Sequence, residues 1–206
     1  MQPSPDVLAE LQLWDQRLKI NPRNPQAYVR RGMVRFKLAQ IQASIADFDQ
    51  AEALQPALTP YLWQRGLSYY YAEQFEAGAR QFELDLQVNY QDVEETVWRF
   101  LCLARSQGLA AARTSLIPVK TDSRPIMARI YRLFAGNCSP EDVLLGGQQE
   151  GSRGAFYANL YVGLFYEAAH QETLARPYLV KAAEEYCLDD YMWHLARVHR
   201  YLRGWF

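Results

Sequence analysis

The chemistry available to this chain rests on three histidines, a few adjacent carboxylates and three cysteines, and their spacing argues against most of it. His194 and His199 are five residues apart, which on a helix turns them about 140° from one another and denies them a shared metal face. His170 stands alone. Glu94–Glu95, Glu184–Glu185 and Asp189–Asp190 are neighbours in sequence, so on a helix each pair diverges by about 100° and splits between faces. Asp189–Asp190 falls where a last helix should begin, and acids suit that place without any catalytic role. Cys102, Cys138 and Cys187 are odd in number and far apart, which predicts buried thiols and neither a disulfide framework nor a zinc site. No metalloprotease helix motif, nucleophile elbow or phosphate-cradling loop occurs; Gly146–Gly147 and Gly151 come nearest, but no strand precedes them. The expectation is no catalytic residues, no metal and no cofactor.

With 22 basic against 23 acidic residues, the net charge of −1 lacks the basic excess of a general nucleic-acid binder. Aromatic residues make up 14% of the chain, too many for a disordered one. No apolar run is long enough to cross a bilayer, and Met1–Gln2–Pro3–Ser4–Pro5–Asp6 has no signal-peptide character. The expected location is the cytoplasm, or the envelope or a lumen if a leader precedes this sequence.

The elements that must position these residues are helices, and they repeat. Asn21–Pro22, Gln55–Pro56 and Asn89–Tyr90 recur at steps of 34 residues, as do Arg31–Gly32 with Arg65–Gly66, Ile45 with Ala79, and Phe48 with Phe82. No strand-like alternation or hairpin-turn signal appears, so the fold class is all-α. Helices are expected over 5–20, carrying Leu8, Leu11, Trp14 and Leu18, over 124–135, and from about Asp190 to Arg203. Ser139–Pro140–Glu141–Asp142 reads as a helix start that runs only as far as Gly146. Gly146 to Gly154, polar and glycine-rich, reads as a mobile loop.

At these positions the sequence resembles the tetratricopeptide repeat (TPR) family, whose unit is a helix–turn–helix of this length. In the first unit the motif falls on Tyr28, Gly32, Ser44, Phe48, Ala51 and Pro56; one aromatic place holds Arg35, with Phe36 beside it. In the second it falls on Gly66, Tyr69, Gly78 and Phe82, with Asp85 and Tyr90 departing from the pattern. A third, opening near Ala155, carries Gly163, Tyr166, Ala175 and Ala182, with Leu179 where a ring is usual. The resemblance implies one α-solenoid domain over 1–206, a right-handed superhelical stack. Its regular repeats would lie near 24–56, 57–90 and 155–187, with irregular helices over 91–146 and capping helices at 5–20 and 190–203. Gly32, Phe48, Gly66, Phe82 and Gly163 would be its packing residues. The second half is also faintly similar to the NlpI-like branch of TPR proteins, at Val97–Trp98–Arg99–Phe100–Leu101, at Ser139 to Leu144 and at Phe156 to Gly163. That branch comprises homodimeric envelope adaptors, and its lipid-bearing cysteine is absent from this sequence.

In TPR arrays the first helices of the hairpins line a concave groove. The corresponding positions here are Val29, Met33, Phe36 and Lys37, then Trp63, Leu67, Tyr70 and Tyr71, then Glu94, Val97, Leu101 and Arg105. The implied function is a non-enzymatic adaptor or scaffold that takes a peptide or protein segment in an aromatic groove. Its partner-binding residues would be Met33, Phe36, Lys37, Trp63, Leu67, Tyr70, Tyr71 and Arg105. A chaperone C-terminal carboxylate is excluded as partner, because the places that would clamp it hold Val29, Met33, Gln64, Glu94 and Trp98. An alternative reading is a peripheral membrane or envelope scaffold that self-associates, as a homodimer for example. It would use the basic last helix, where His194, Arg197, Arg200 and Arg203 sit three apart and Trp205–Phe206 end the chain.

Overall fold

A computed structural model describes residues 4–120 and 122–205, and every regular element among them is helical. The chain falls into two compact units, one through Val88 and the other from Asn89 onward. The first holds α1 (Pro5–Ile20), α2 (Pro25–Lys37), α3 (Ile41–Leu54), a 3-10 turn (Pro56–Tyr61), α4 (Trp63–Tyr71) and α5 (Phe75–Leu86). The second holds α6 (Val93–Gln107), α7 (Leu109–Thr114), α8 (Pro125–Phe134), α9 (Pro140–Gln149), α10 (Gly151–Ala168), α11 (Glu172–Glu184) and α12 (Tyr191–Leu202).

Helix starts follow local chemistry. The side chains of Asn24, Asp92, Ser139 and Asp190 each accept a backbone N–H of the first turn of α2, α6, α9 and α12. Ser139 and Asp142 complete a reciprocal capping box. The repeat motif takes the same geometry in three hairpins, α2–α3, α4–α5 and α10–α11. A methyl group placed on Gly32 would lie 3.2 Å from the Phe48 ring; on Gly66 it would lie 2.7 Å from the Phe82 ring, and on Gly163 2.5 Å from Leu179. In each case the contact is with the residue sixteen further on. Seven residues after each of these glycines, Ala39, Glu73 and His170 take left-handed backbone angles (φ 58°, 59° and 57°). The amides of Gln40, Gln74 and Gln171 then reach back 2.9 Å to the carbonyls of Arg35, Tyr69 and Tyr166. Such 6→1 bonds close a helix and turn the chain into the next one.

The second repeat begins later than its motif suggests. Pro60 lacks the amide that a second α-helical turn needs, so 56–61 winds as a 3-10 turn and α4 starts only at Trp63. The expected loop over 146–154 is helical instead: α9 runs to Gln149 and α10 starts at Gly151, with only Glu150 between them. Its glycines are there for close approach. A methyl on Gly147 would sit 2.5 Å from the Ala158 β-carbon and 2.7 Å from the Gly154 carbonyl oxygen. The irregular stretch 91–146 also contains a hairpin, α8–α9, whose turn at Gly136 (φ 80°) matches those at His170 and Gly204, each 34 residues further on. Here the small residue has changed helices: Gly146 on α9 lies against the side chain of Arg129, which occupies the glycine's usual place on the first helix.

Candidate functional site

The groove positions of the first unit divide by burial. Phe36 and Leu67 are 0% exposed and Tyr70 1%, which removes them from any partner-contacting surface. Phe36 and Tyr70 stand four residues after their hairpin glycines, on the side of the first helix that the second helix covers. The rings interlock, Phe36 5.6 Å from Tyr71, and Tyr70 5.3 Å from Tyr71 and 5.5 Å from Phe75. Met33, Lys37, Trp63 and Tyr71 remain half-buried, each with part of its side chain at the surface. Lys37 Nζ is 3.0 Å from the Glu10 carboxylate of α1, so its charge is already balanced within the unit. Gln64 donates through Nε2 to the Met33 sulfur at 3.8 Å, while its buried Oε1 has no hydrogen-bond partner.

In the second unit, Val97 and Leu101 are buried, and Arg105 opens onto a cavity of about 290 Å³ shared with Glu167, His170, Glu172 and Arg203. Four helices and the turn between α10 and α11 build it. Arg105 comes from the last turn of α6, Glu167 from the end of α10, His170 from the left-handed turn, and Glu172 from the start of α11. Arg203 caps the C-terminus of α12. Arg203 Nε donates to Glu167 Oε1 at 2.6 Å, His199 Nε2 lies 3.4 Å from the same oxygen, and Arg105 is 3.9 Å from Oε2. Burial alone would raise the Glu167 pKa; His199 and Arg203 outweigh it and hold the carboxyl well below the ordinary glutamate range. A carboxylate fixed in this way is a poor proton donor. With cations and carboxylates on one wall, the cavity can instead receive polar groups of either sign.

Glu167 was not singled out in the sequence, although the repeat frame contains the signal: it occupies the place of Phe36 and Tyr70, where a buried carboxylate needs a partner. Its nearest partners, His199 and Arg203, come from α12 and its cap, which corrects the expectation for the chain's end. Trp205 is not an exposed anchor. It is 4% exposed, its ring lies 5.5 Å from His199, and its indole N–H donates to Glu172 at 3.2 Å. Phe206 lies outside the described residues.

Of the paired carboxylates, Glu94, Glu184, Glu185 and Asp190 have structural partners. Glu94 accepts from Tyr161 at 3.0 Å and from Arg124, which also binds Asp122 at 2.8 Å. Burial raises the Glu94 pKa against the pull of Arg124, whereas Asp122 is lowered, the Arg124 hydrogen bonds outweighing its burial. Asp190, besides capping α12, accepts from Tyr157 at 3.0 Å and meets Arg153 at 3.1 Å. Glu184 pairs with Arg200 at 2.8 Å and Glu185 with Lys181 at 3.7 Å. Cys102, Cys138 and Cys187 are free thiols, Cys102 buried and Cys187 exposed. Among the described residues no cluster of His, Cys, Asp or Glu could hold a metal ion, and no helix is long and apolar enough to cross a membrane.

Fold and side chains together define an all-α protein of repeated helical hairpins. No protein-family model matches the chain, and no curated protein matches it.

Proposed function

We propose that this chain is a TPR-type adaptor, a non-enzymatic protein that binds a peptide or protein segment. The reading rests above all on one repeated contact, a hairpin glycine against the bulky residue sixteen further on, at Gly32, Gly66 and Gly163. Helical hairpins built on one frame present equivalent side chains at equivalent places, and such surfaces suit extended polypeptide partners. On the first unit the contact residues are Met33, Lys37, Trp63 and Tyr71, with Phe36, Leu67 and Tyr70 packed beneath as support. On the second unit Arg105 and its cavity receive a polar side chain or main-chain group. Aromatic rings and arginines of this kind supply most of the binding energy at protein interfaces.

The test is affinity capture from the source organism's lysate with wild type and with Trp63→Ala combined with Tyr71→Ala. The variant is expected to lose one or more partners that the wild type retains. Identical partner sets, with the variant's helicity unchanged, would end the proposal for this face.

A further inference from the structure

The repeat frame makes α1 comparable with α3, since Asp15 and Asp49, Leu18 and Glu52, and Arg31 and Arg65 are each 34 residues apart. Both arginines stand one place before a hairpin glycine and reach back to the helix that precedes their own. Arg65 Nη1 donates twice there, to Asp49 at 3.0 Å and to Glu52 at 2.6 Å. Arg31 Nη1 donates once, to Asp15 at 2.9 Å, because Leu18 holds the place of Glu52. Arg31 directs its Nε and Nη2 to Asp47, at 2.9 and 2.7 Å. Its second Nη1 hydrogen meets no acceptor among the described residues.

Where that carboxylate is missing there is a cavity of about 440 Å³, lined by Asp15, Leu18 and Lys19 of α1 and by Tyr28 and Arg31 of α2. Lys19 stands in the place of Ala53 and forms no ion pair among the described residues. Arg35 shares Asp47 with Arg31, at 2.9 Å. Three cations, Arg31, Arg35 and Lys19, are thus set against two carboxylates, Asp15 and Asp47. In the next repeat one cation, Arg65, is set against Asp49 and Glu52. The Tyr28 ring lies under the Arg31 guanidinium at 5.4 Å and its hydroxyl donates to the Pro22 carbonyl at 3.3 Å, which fixes an aromatic wall beside the charges. The Arg65 hydrogen bond holds the Glu52 carboxyl below the ordinary glutamate range, so this place in the frame favours an ionised carboxylate over a neutral acid.

We infer that the cavity between α1 and α2 is a binding site for a carboxylate, which takes the place that Glu52 holds one repeat later. One oxygen accepts from Arg31 Nη1 and the charge is shared with Lys19, while the body of the ligand lies against Leu18 and Tyr28. A free organic acid of a few carbons and a glutamate side chain of another polypeptide present the same group. The site has no residue in common with the groove proposed above, so it stands whether or not that groove binds a partner.

NMR titration of the full chain, following the side-chain signals of Arg31 and Lys19, tests this with glutarate and with the peptide acetyl-Ala-Glu-Ala-amide. At least one is expected to shift both signals saturably, and the tighter of the two identifies the source of the carboxylate. Their neutral counterparts, glutaramide and acetyl-Ala-Gln-Ala-amide, should shift neither. Lys19→Ala should weaken binding about fivefold, the upper end of what an exposed ion pair contributes, and Lys19→Glu should abolish it. Lys19 is exposed and unpaired, so both variants keep wild-type helicity. Leu18→Glu restores the missing carboxylate from within and should also abolish binding. No saturable binding of either acid, equal shifts with the neutral amides, or binding that survives Lys19→Glu would overturn the inference. So would inorganic phosphate that binds more tightly than either acid, because the site would then be one for phosphate.

Discussion

Glu167 shows most clearly how one residue changes what a repeated scaffold does. Its place holds Phe36 and Tyr70 in the first two hairpins, and a carboxylate there must be matched or it is costly to bury. Arg203, His199 and Arg105 provide the match, and in doing so they tie the end of α12 and the last turn of α6 to α10. Because the folded-state pKa is depressed below the ordinary 4.5, the stabilisation is fully present above that value and declines as pH falls below it. Glu167→Gln should therefore cost about 3 kcal/mol near pH 7, the usual penalty for removing one partner of a buried pair. The gap between wild type and variant should shrink by about 1 kcal/mol or more by pH 3, as the wild-type carboxylate loses its advantage. Urea unfolding at both pH values measures it; a gap that stays constant into acid would mean that packing, not charge, is what Glu167 contributes.

Elements in this protein are set by small residues more than by large ones. The hairpin glycines at 32 and 66 and their partners at 48 and 82 were legible in the sequence, because a period of 34 aligns them; Gly163 and Leu179 fall off that period but keep the same sixteen-residue spacing. The α8–α9 hairpin was not, because Arg129 and Gly146 exchange the usual sizes between helices, leaving only the spacing of Gly136 and Gly204 about His170 as a clue. Gly147 and Gly154 were read as loop formers, since composition cannot distinguish glycine for flexibility from glycine for close approach. The candidate surface has the same limit: the resemblance puts Phe36, Leu67 and Tyr70 on the groove-lining helices, whereas the folded chain buries all three. The two kinds of glycine should respond differently to alanine. At Gly66 the intruding methyl meets the edge of the Phe82 ring, which can shift, so Gly66→Ala should cost about 1–2 kcal/mol. At Gly147 it meets a β-carbon and a backbone carbonyl that cannot rotate away. Gly147→Ala should then cost about 2–3 kcal/mol despite alanine's better helix propensity. Thermal unfolding of the two variants provides the comparison; a neutral or stabilising Gly147→Ala would show that α9 and α10 are not in close contact.

Each unit of the whole molecule carries its own aromatic core. Phe36, Phe48, Tyr70 and Phe82 fill the first, and Phe100, Phe134, Phe156 and Tyr161 the second. Edge-to-face contacts of Phe134 with Phe100 (5.2 Å) and with Phe165 (5.6 Å) join three helices of the second core. The ring-rich composition of a nearly neutral chain is thereby largely accounted for by two interiors, and the rings left at the surface are correspondingly informative. One of them is Tyr90, which is 70% exposed in the turn between α5 and α6, directly after the boundary at Val88. Exposed turn residues between separately packed cores are where proteases enter first, because cleavage there requires no core to open. Under limiting chymotrypsin, cleavage after Tyr90 should precede every other cut on the order of tenfold, even though Tyr61 and Tyr201 are also exposed, because those two lie within helical turns. Intact-mass analysis over time should show a pair of fragments meeting at residue 90. Separated by gel filtration, each should retain helical circular dichroism if its core is sufficient. A first cut anywhere within 146–157 would restore the flexible loop that the α9–α10 contact excludes, and loss of helicity in both fragments would mean that the two cores are not independent.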